Sequence, residues 1–153
     1  TLRQEDRYFD VPDKVLRIRQ ENDDFLLTQK GEASFSAEGV KSREEEENPL
    51  STAEVALLER LLPWMGHREL MTVSKTRTVF QREGALLCLD RVEGLGDFLE
   101  IEANPGQGAE AVRRAAAWLA DAIGLAPEQI QRASYAKLLA DQEKKALEKS
   151  LEQ

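Results

Sequence analysis

The chain has 153 residues, 41% hydrophobic and 33% charged, enough for one domain with its own core and an unusually charged surface or interior. Its formal charge of −8 argues against a general nucleic-acid binder, and no apolar run approaches the roughly 20 residues of a membrane-spanning helix. A single cysteine, Cys88, excludes an internal disulfide, and no signal peptide is visible, so a cytoplasmic protein without nucleic-acid or membrane partners is expected.

In chain order, the first elements read as strands over Leu2–Asp10, Lys14–Gln20, Phe25–Lys30 and Gly39–Glu46. Val11-Pro12-Asp13 and Glu21-Asn22-Asp23-Asp24 supply turns between them. Ser51-Thr52-Ala53-Glu54 has the form of a capping box, and Val55, Leu58, Leu62 and Met65 recur behind it on one helical face. Strands resume at Met71–Gln81, Ala85–Val92 and Asp97–Ala103, separated by Glu83-Gly84 and Gly94-Leu95-Gly96. A second helix is predicted from Gln107 to Ile123, stopped by Gly124, and a third from about Ser134. Residues 1–140 are read as one domain, and 141–153 as a charged helical tail whose Leu147 and Leu151 are the only support for a homodimer contact. Consecutive strands with short links predict an antiparallel meander.

Side chains alternate faces along a strand, so residues two apart share one. Arg17 and Arg19 share a face opposite Leu16 and Ile18; Lys30 lies with Thr28 and Leu26. Lys41, Arg43 and Glu45 share a face, as do Lys75 and Arg77. Asp90 lies with Cys88 and Leu86, and Glu100 lies with Glu102 opposite Leu99 and Ile101. On parity alone, an ordinary half-buried sheet with its charged side in water is the simpler reading. The segregation of charge favours another. Arginine and lysine dominate the early strands and the Lys75–Arg77 strand, while carboxylates dominate the last two. If the sheet closes into a wide barrel, these faces line a wet interior and the apolar set turns outward under the helices.

That interior has a definite chemistry. Arg17, Arg19, Lys30, Lys41, Arg43, Lys75 and Arg77 could hold several phosphate oxygens, arginine through its fork of donors. Glu45, Asp90, Glu100 and Glu102 supply hard oxygen ligands suited to Mg2+ or Mn2+. Glu45 lies in a run of four glutamates, which is more often solvated.

Several segments resemble the CYTH, or triphosphate tunnel metalloenzyme, family, nearest its class IV adenylate cyclase branch. They are Gln4-Glu5-Asp6-Arg7-Tyr8-Phe9-Asp10, Val15-Leu16-Arg17-Ile18-Arg19, Leu27-Thr28-Gln29-Lys30-Gly31, Lys41-Ser42-Arg43-Glu44-Glu45 and Val73-Ser74-Lys75-Thr76-Arg77. Two more follow in order: Leu89 to Glu102, the closest match, and Ser134-Tyr135-Ala136-Lys137-Leu138-Leu139, which resembles the family's C-terminal signature. The resemblance implies an α+β fold, a closed or nearly closed antiparallel β-barrel with flanking helices. The family's opening Glu-x-Glu-x-Lys strand and the helix after it have no counterpart; the chain starts at Thr1 where they would end, and a missing segment is expected.

The resemblance further implies an enzyme that binds a triphosphate-containing small molecule on the basic residues, with carboxylates holding Mg2+ or Mn2+. In a cyclase the ribose 3′-hydroxyl attacks the α-phosphorus of ATP, giving cyclic AMP and pyrophosphate. In a triphosphatase water attacks the terminal phosphorus of tripolyphosphate, thiamine triphosphate or a nucleotide. A module that binds polyphosphate or a nucleotide without turnover is the non-catalytic alternative. No histidine or cysteine nucleophile is required: His67 falls in a loop, and Cys88 reads as a small buried hydrophobe. A P-loop pattern is absent, and Trp64, Trp118 and Phe9 read as packing residues.

Overall fold

A computed structural model describes residues 1–37 and 41–152. Its elements are β1 (Leu2–Phe9), β2 (Val15–Glu21), β3 (Asp24–Lys30), β4 (Ser34–Phe35), β5 (Lys41–Ser42), β6 (Glu45–Leu50), α1 (Thr52–Trp64), β7 (Glu69–Arg82), β8 (Ala85–Val92), β9 (Gly96–Ala103), α2 (Ala109–Ile123) and α3 (Tyr135–Leu151). The fold is α+β, mostly antiparallel sheet with three helices among the described residues. It divides into two compact units, Leu2–Thr76 and Arg77–Gln153 with Thr1.

In the first unit the hydrogen-bonded order is β6-β3-β2-β1, with β7 following β1. The register places Arg19 opposite Asp6 and Leu26, and Arg17 opposite Tyr8 and Thr28. Because parity is fixed, Leu16 and Ile18 take the other face, where they meet Phe25, Leu27 and Leu50. Helix α1 covers that face with Val55, Leu58 and Leu62, and Phe9 and Ile18 are buried there. The capping box forms as predicted: Ser51 Oγ accepts from Glu54 N at 3.2 Å, and Glu54 Oε2 accepts from Ser51 N at 2.7 Å.

The predicted strand Gly39–Glu46 differs from what forms. Gly39 and Val40 lie outside the described residues, Lys41–Ser42 pairs with β4 in a separate small sheet, and the next strand starts only at Glu45. Strand β6 then runs through the acidic stretch, against its composition, because β3 sets its register from Lys30–Glu45 to Phe25–Leu50. Pro49 is tolerated there because β6 ends the strand order.

In the second unit β7, β8 and β9 are neighbours, and β8 pairs with β9 antiparallel from Ala85–Ala103 to Val92–Gly96. Gly94 and Gly96 make the connecting turn at φ values of 81° and 102°, which a residue with a Cβ rarely adopts. Ala85, Leu87 and Ile101 pack beneath Ala115 of α2, while Leu99 stays 39% exposed. Gly124 ends α2 in the left-handed region at φ 66°, as its position predicts. Helix α3 is capped by Ser134, whose Oγ accepts from Lys137 N at 3.2 Å. Trp64 departs from its expected packing role, being 82% exposed. Trp118 on α2 is covered by the Arg82 guanidinium, 3.8 Å above its ring. No helix among the described residues is long and apolar enough to cross a membrane.

Two stability measurements check this framework by urea unfolding. Ser51→Ala should cost about 1 kcal/mol through loss of the cap. Ile18→Ala should cost about 2–5 kcal/mol, because Ile18 is 1% exposed beneath α1.

Candidate functional site

The charged face of the first unit is buried. Asp6, Arg17, Arg19 and Lys75 are each at most 7% exposed, a burial that isolated charges would not tolerate. Asp6 gathers the cations. Arg19 donates from Nε and Nη2 to its two carboxylate oxygens at 2.6 and 2.7 Å, in a fork-to-fork pair. Arg17 Nη1 stands 3.7 Å from Asp6 Oδ2, and its Nη2 stands 3.7 Å from Glu47 Oε1 on β6. Burial pushes the Asp6 carboxyl upward, but the Arg19 hydrogen bond and the charges of Arg17, Arg19 and Lys75 outweigh it and hold the group below its usual range.

Buried cations outnumber buried carboxylates on this face, Arg17, Arg19 and Lys75 to Asp6, with the half-exposed Glu47 beside Arg17. Its hydrogen bonding is also incomplete. Arg17 Nε, Thr28 Oγ1 and Gln4 Oε1 are buried without a partner. An unsatisfied buried donor costs about 1–3 kcal/mol and calls for an explanation. Arg17 and Thr28 are cross-strand partners on β2 and β3, so a donor and a hydroxyl without partners come from paired positions. Such a pair suits an anion with several oxygens.

The remaining basic residues of this unit lie outside that buried group. Lys30 Nζ is 3.6 Å from Glu45 Oε2, its cross-strand partner on β6. Lys41 is exposed on β5, and Arg43 is half-buried between β5 and β6. The parity expected of Lys41, Arg43 and Glu45 does not hold, because a break separates the two strands.

In the second unit the balance reverses. Arg77, 6% exposed, donates from Nε and Nη2 to the two oxygens of Asp90 at 2.7 Å each. Its Nη2 also reaches Glu100 Oε2 at 2.7 Å, and its Nη1 reaches Glu102 Oε1 at 3.2 Å. Desolvation works against the charge of Arg77, but the Asp90 hydrogen bond and the charges of Glu100 and Asp90 reverse the shift, so the guanidinium stays protonated. Asp90 is fully buried and also accepts from Tyr135 Oη at 2.9 Å. The side chains of Glu100 and Glu102 are 43% exposed.

Three carboxylates to one guanidinium make this cluster electronegative. Among the described residues no three acidic, histidine or cysteine side chains stand ready to hold a metal unaided. The donor set nevertheless fits Mg2+ or Mn2+, which takes oxygen ligands and needs only one or two carboxylates beside water and phosphate. Glu100 and Glu102 supply two such carboxylates from one face of β9. Cys88, buried beside them, has its thiol pushed up to about 11 by burial, as befits a packing residue and not a nucleophile. His67 lies in the loop after α1, where Nδ1 is 2.9 Å from the carbonyl oxygen of Asp10, a structural contact.

Sequence reasoning passed over Asp6, Thr28, Glu47 and Tyr135 as site residues. The first was within reach, since alternation along β1 puts Gln4, Asp6 and Tyr8 on one face. Glu47 was hidden in an acidic run, and Tyr135 comes from a distant helix that no local pattern links to Asp90.

In one unit buried cations outnumber buried carboxylates on a strand face, and in the other carboxylates outnumber the guanidinium they surround. The CYTH domain family model matches residues 1–134, and the chain belongs to that family. A Methanocaldococcus jannaschii protein named "Putative adenylate cyclase" is 35% identical over 97 residues. That alignment covers 63% of this chain and 53% of the relative, so the match spans about half the relative's length. A conserved hypothetical protein from Pyrococcus furiosus superposes with a TM-score of 0.73 at 31% identity, over 90% of this chain and 82% of its own. A Hippeastrum protein, described as a "Putative adenylyl cyclase" with a dominant triphosphatase activity, superposes with a TM-score of 0.59 at 26% identity, over 80% and 74%. CYTH proteins are typically enzymes acting on triphosphates, and the family implies dependence on a divalent metal.

Asp6→Asn should destabilise the protein by about 3–5 kcal/mol, because it leaves buried cations without their countercharge. The lowered Asp6 pKa stabilises the fold above the ordinary carboxylate range, near about pH 4, and this stabilisation is lost as pH falls through the folded value. Urea unfolding at a series of pH values should therefore show a shallower acid decline in the Asn variant than in the wild type.

Proposed function

We propose that the chain is a divalent-metal-dependent enzyme acting on a triphosphate-containing small molecule, in the manner of a class IV adenylate cyclase converting ATP into cyclic AMP and pyrophosphate. The observation that carries this reading is Arg17, buried with its Nε unpartnered and paired across strands with Thr28, whose hydroxyl is also unpartnered, in a row whose cations outnumber its carboxylates. Residues 1–140 are taken as the working domain, with 141–153 as a tail.

In this reading Arg17, Arg19 and Lys75 bind phosphate oxygens, with Arg77, Lys30, Lys41 and Arg43 as further ligands. Asp6 holds Arg17 and Arg19 in place, so their donors are positioned before the substrate arrives. Glu100 and Glu102 would hold the metal, with Asp90 and Glu45 as the other carboxylates assigned to that role. Bound there, Mg2+ or Mn2+ supplies neutralisation of phosphate charge. The chain's own work is binding, orientation and charge stabilisation, the main demands of phosphoryl transfer. The 3′-hydroxyl forms the new bond to the α-phosphorus as its proton passes to solvent, and pyrophosphate leaves with the electrons of the broken P–O bond.

A triphosphatase is the second reading, favoured by the description of the Hippeastrum relative. There water attacks the terminal phosphorus of tripolyphosphate, thiamine triphosphate or a nucleotide instead, and orthophosphate is released as the bridging P–O bond breaks toward the remaining diphosphate.

The test is turnover of ATP, tripolyphosphate and thiamine triphosphate with Mg2+ or Mn2+, with products separated by chromatography. Cyclic AMP with pyrophosphate identifies a cyclase, and orthophosphate a hydrolase. No product from any of the three, with tripolyphosphate binding that survives chelation, leaves a binding module and sinks the enzyme. Arg17→Gln should weaken tripolyphosphate binding by about 10- to 100-fold, the value of a charge-assisted hydrogen bond. Unchanged anion affinity in both Arg17→Glu and Arg77→Glu would refute the phosphate site itself. Glu100→Gln should raise the Kd for Mn2+, measured by electron paramagnetic resonance.

A further inference from the structure

The segment Ser134–Leu139 is the one sequence motif to which the proposed chemistry gives no task. In the structure it opens helix α3, with Ser134 as the cap and Tyr135 as the first helical residue. Two side chains one turn apart fix this end of the helix. Leu139 packs on the β8–β9 turn, close enough that a Cβ at Gly94 would meet its Cδ2 at 3.4 Å. Tyr135 stacks on Phe98 of β9, ring centroids 5.0 Å apart and tilted by 55°. So held, its hydroxyl points into the carboxylate cluster and donates to Asp90 Oδ2 at 2.9 Å.

That oxygen is the one that also accepts from Arg77 Nη2, while Oδ1 accepts from Arg77 Nε. A carboxylate held only by its strand could rotate about χ2. With a third donor on Oδ2, the Asp90 plane is set, and the bidentate pair transfers that plane to the guanidinium. Two further donors of Arg77 then fall on Glu100 and Glu102.

We infer that Tyr135 is a positioning residue: through Asp90 it fixes the guanidinium plane of Arg77, and so helix α3 sets the orientation of a cation assigned to phosphate. Asp90 is thereby an anchor for Arg77. The inference deepens the proposed function, since it rests on reading Arg77 as a phosphate ligand.

Tyr135→Phe removes only the hydroxyl and keeps the ring on Phe98. Two readouts test it. The first is the side-chain Nε–Hε resonance of Arg77 by NMR in the protein alone, assigned with Arg77→Gln. It should shift or broaden in Tyr135→Phe, and an unchanged resonance overturns the inference. The second is a double-mutant cycle on tripolyphosphate affinity. Tyr135→Phe should weaken binding about fivefold, the value of a hydrogen bond, in the wild-type background and leave it unchanged in the Arg77→Gln background. Equal losses in both backgrounds mean a merely structural role and overturn the inference. If the wild type does not bind tripolyphosphate, the proposed function fails, and the Arg77 resonance alone decides the positioning. Asp90→Asn, which loses the two-oxygen grip, covers the case where Tyr135→Phe does not fold: it should move the same resonance, and failure to do so overturns the inference.

Discussion

A guanidinium taken out of water must keep its charge and find carboxylates to face it, and both charged clusters are built around that requirement. Asp6 meets it for Arg19 with two bonds and for Arg17 at longer range. Asp90 meets it for Arg77, again with two bonds. In each unit one buried carboxylate fixes an arginine through its fork, and the fork leaves other donors aimed in a set direction.

The two clusters stop short of neutrality in opposite senses. A fully compensated network would be easier to bury, and a well-packed apolar face easier still. The first unit keeps an excess of buried cations and unpartnered atoms on Arg17 and Thr28; the second keeps partly exposed carboxylates around one arginine. Departures from complete satisfaction are expected where a site binds something, because its ligand completes the hydrogen bonding. The apolar faces under α1 and α2 show no comparable compromise, so stability and chemistry are divided between the two sides of the same strands.

Much of this division was legible in the sequence. The alternation of Leu16, Ile18 with Arg17, Arg19, and of Ile101 with Glu100, Glu102, assigns faces before any pairing is known. The box at Ser51 and the stops at Gly94, Gly96 and Gly124 are local chemistry and form where expected. The stretch around Lys41 was misread because its pattern suits a continuous strand. Pairing with two different partners, β4 and β3, breaks it instead. The exposure of Trp64 had no local sign either, since helical spacing cannot reveal which neighbours a residue lacks.

The sequence by itself determined which residues could share a face, because alternation along a strand and periodicity along a helix follow from backbone geometry alone. It also supplied the charge segregation and the order of motifs that mark the family. Tertiary structure decided the partners: that Asp6 receives Arg19, that Arg17 and Thr28 pair across strands with unpartnered atoms, and that a tyrosine 45 positions after Asp90 bonds to it. Those contacts depend on strand register and helix docking. Both are fixed by burial summed over whole elements, which no short stretch of sequence contains.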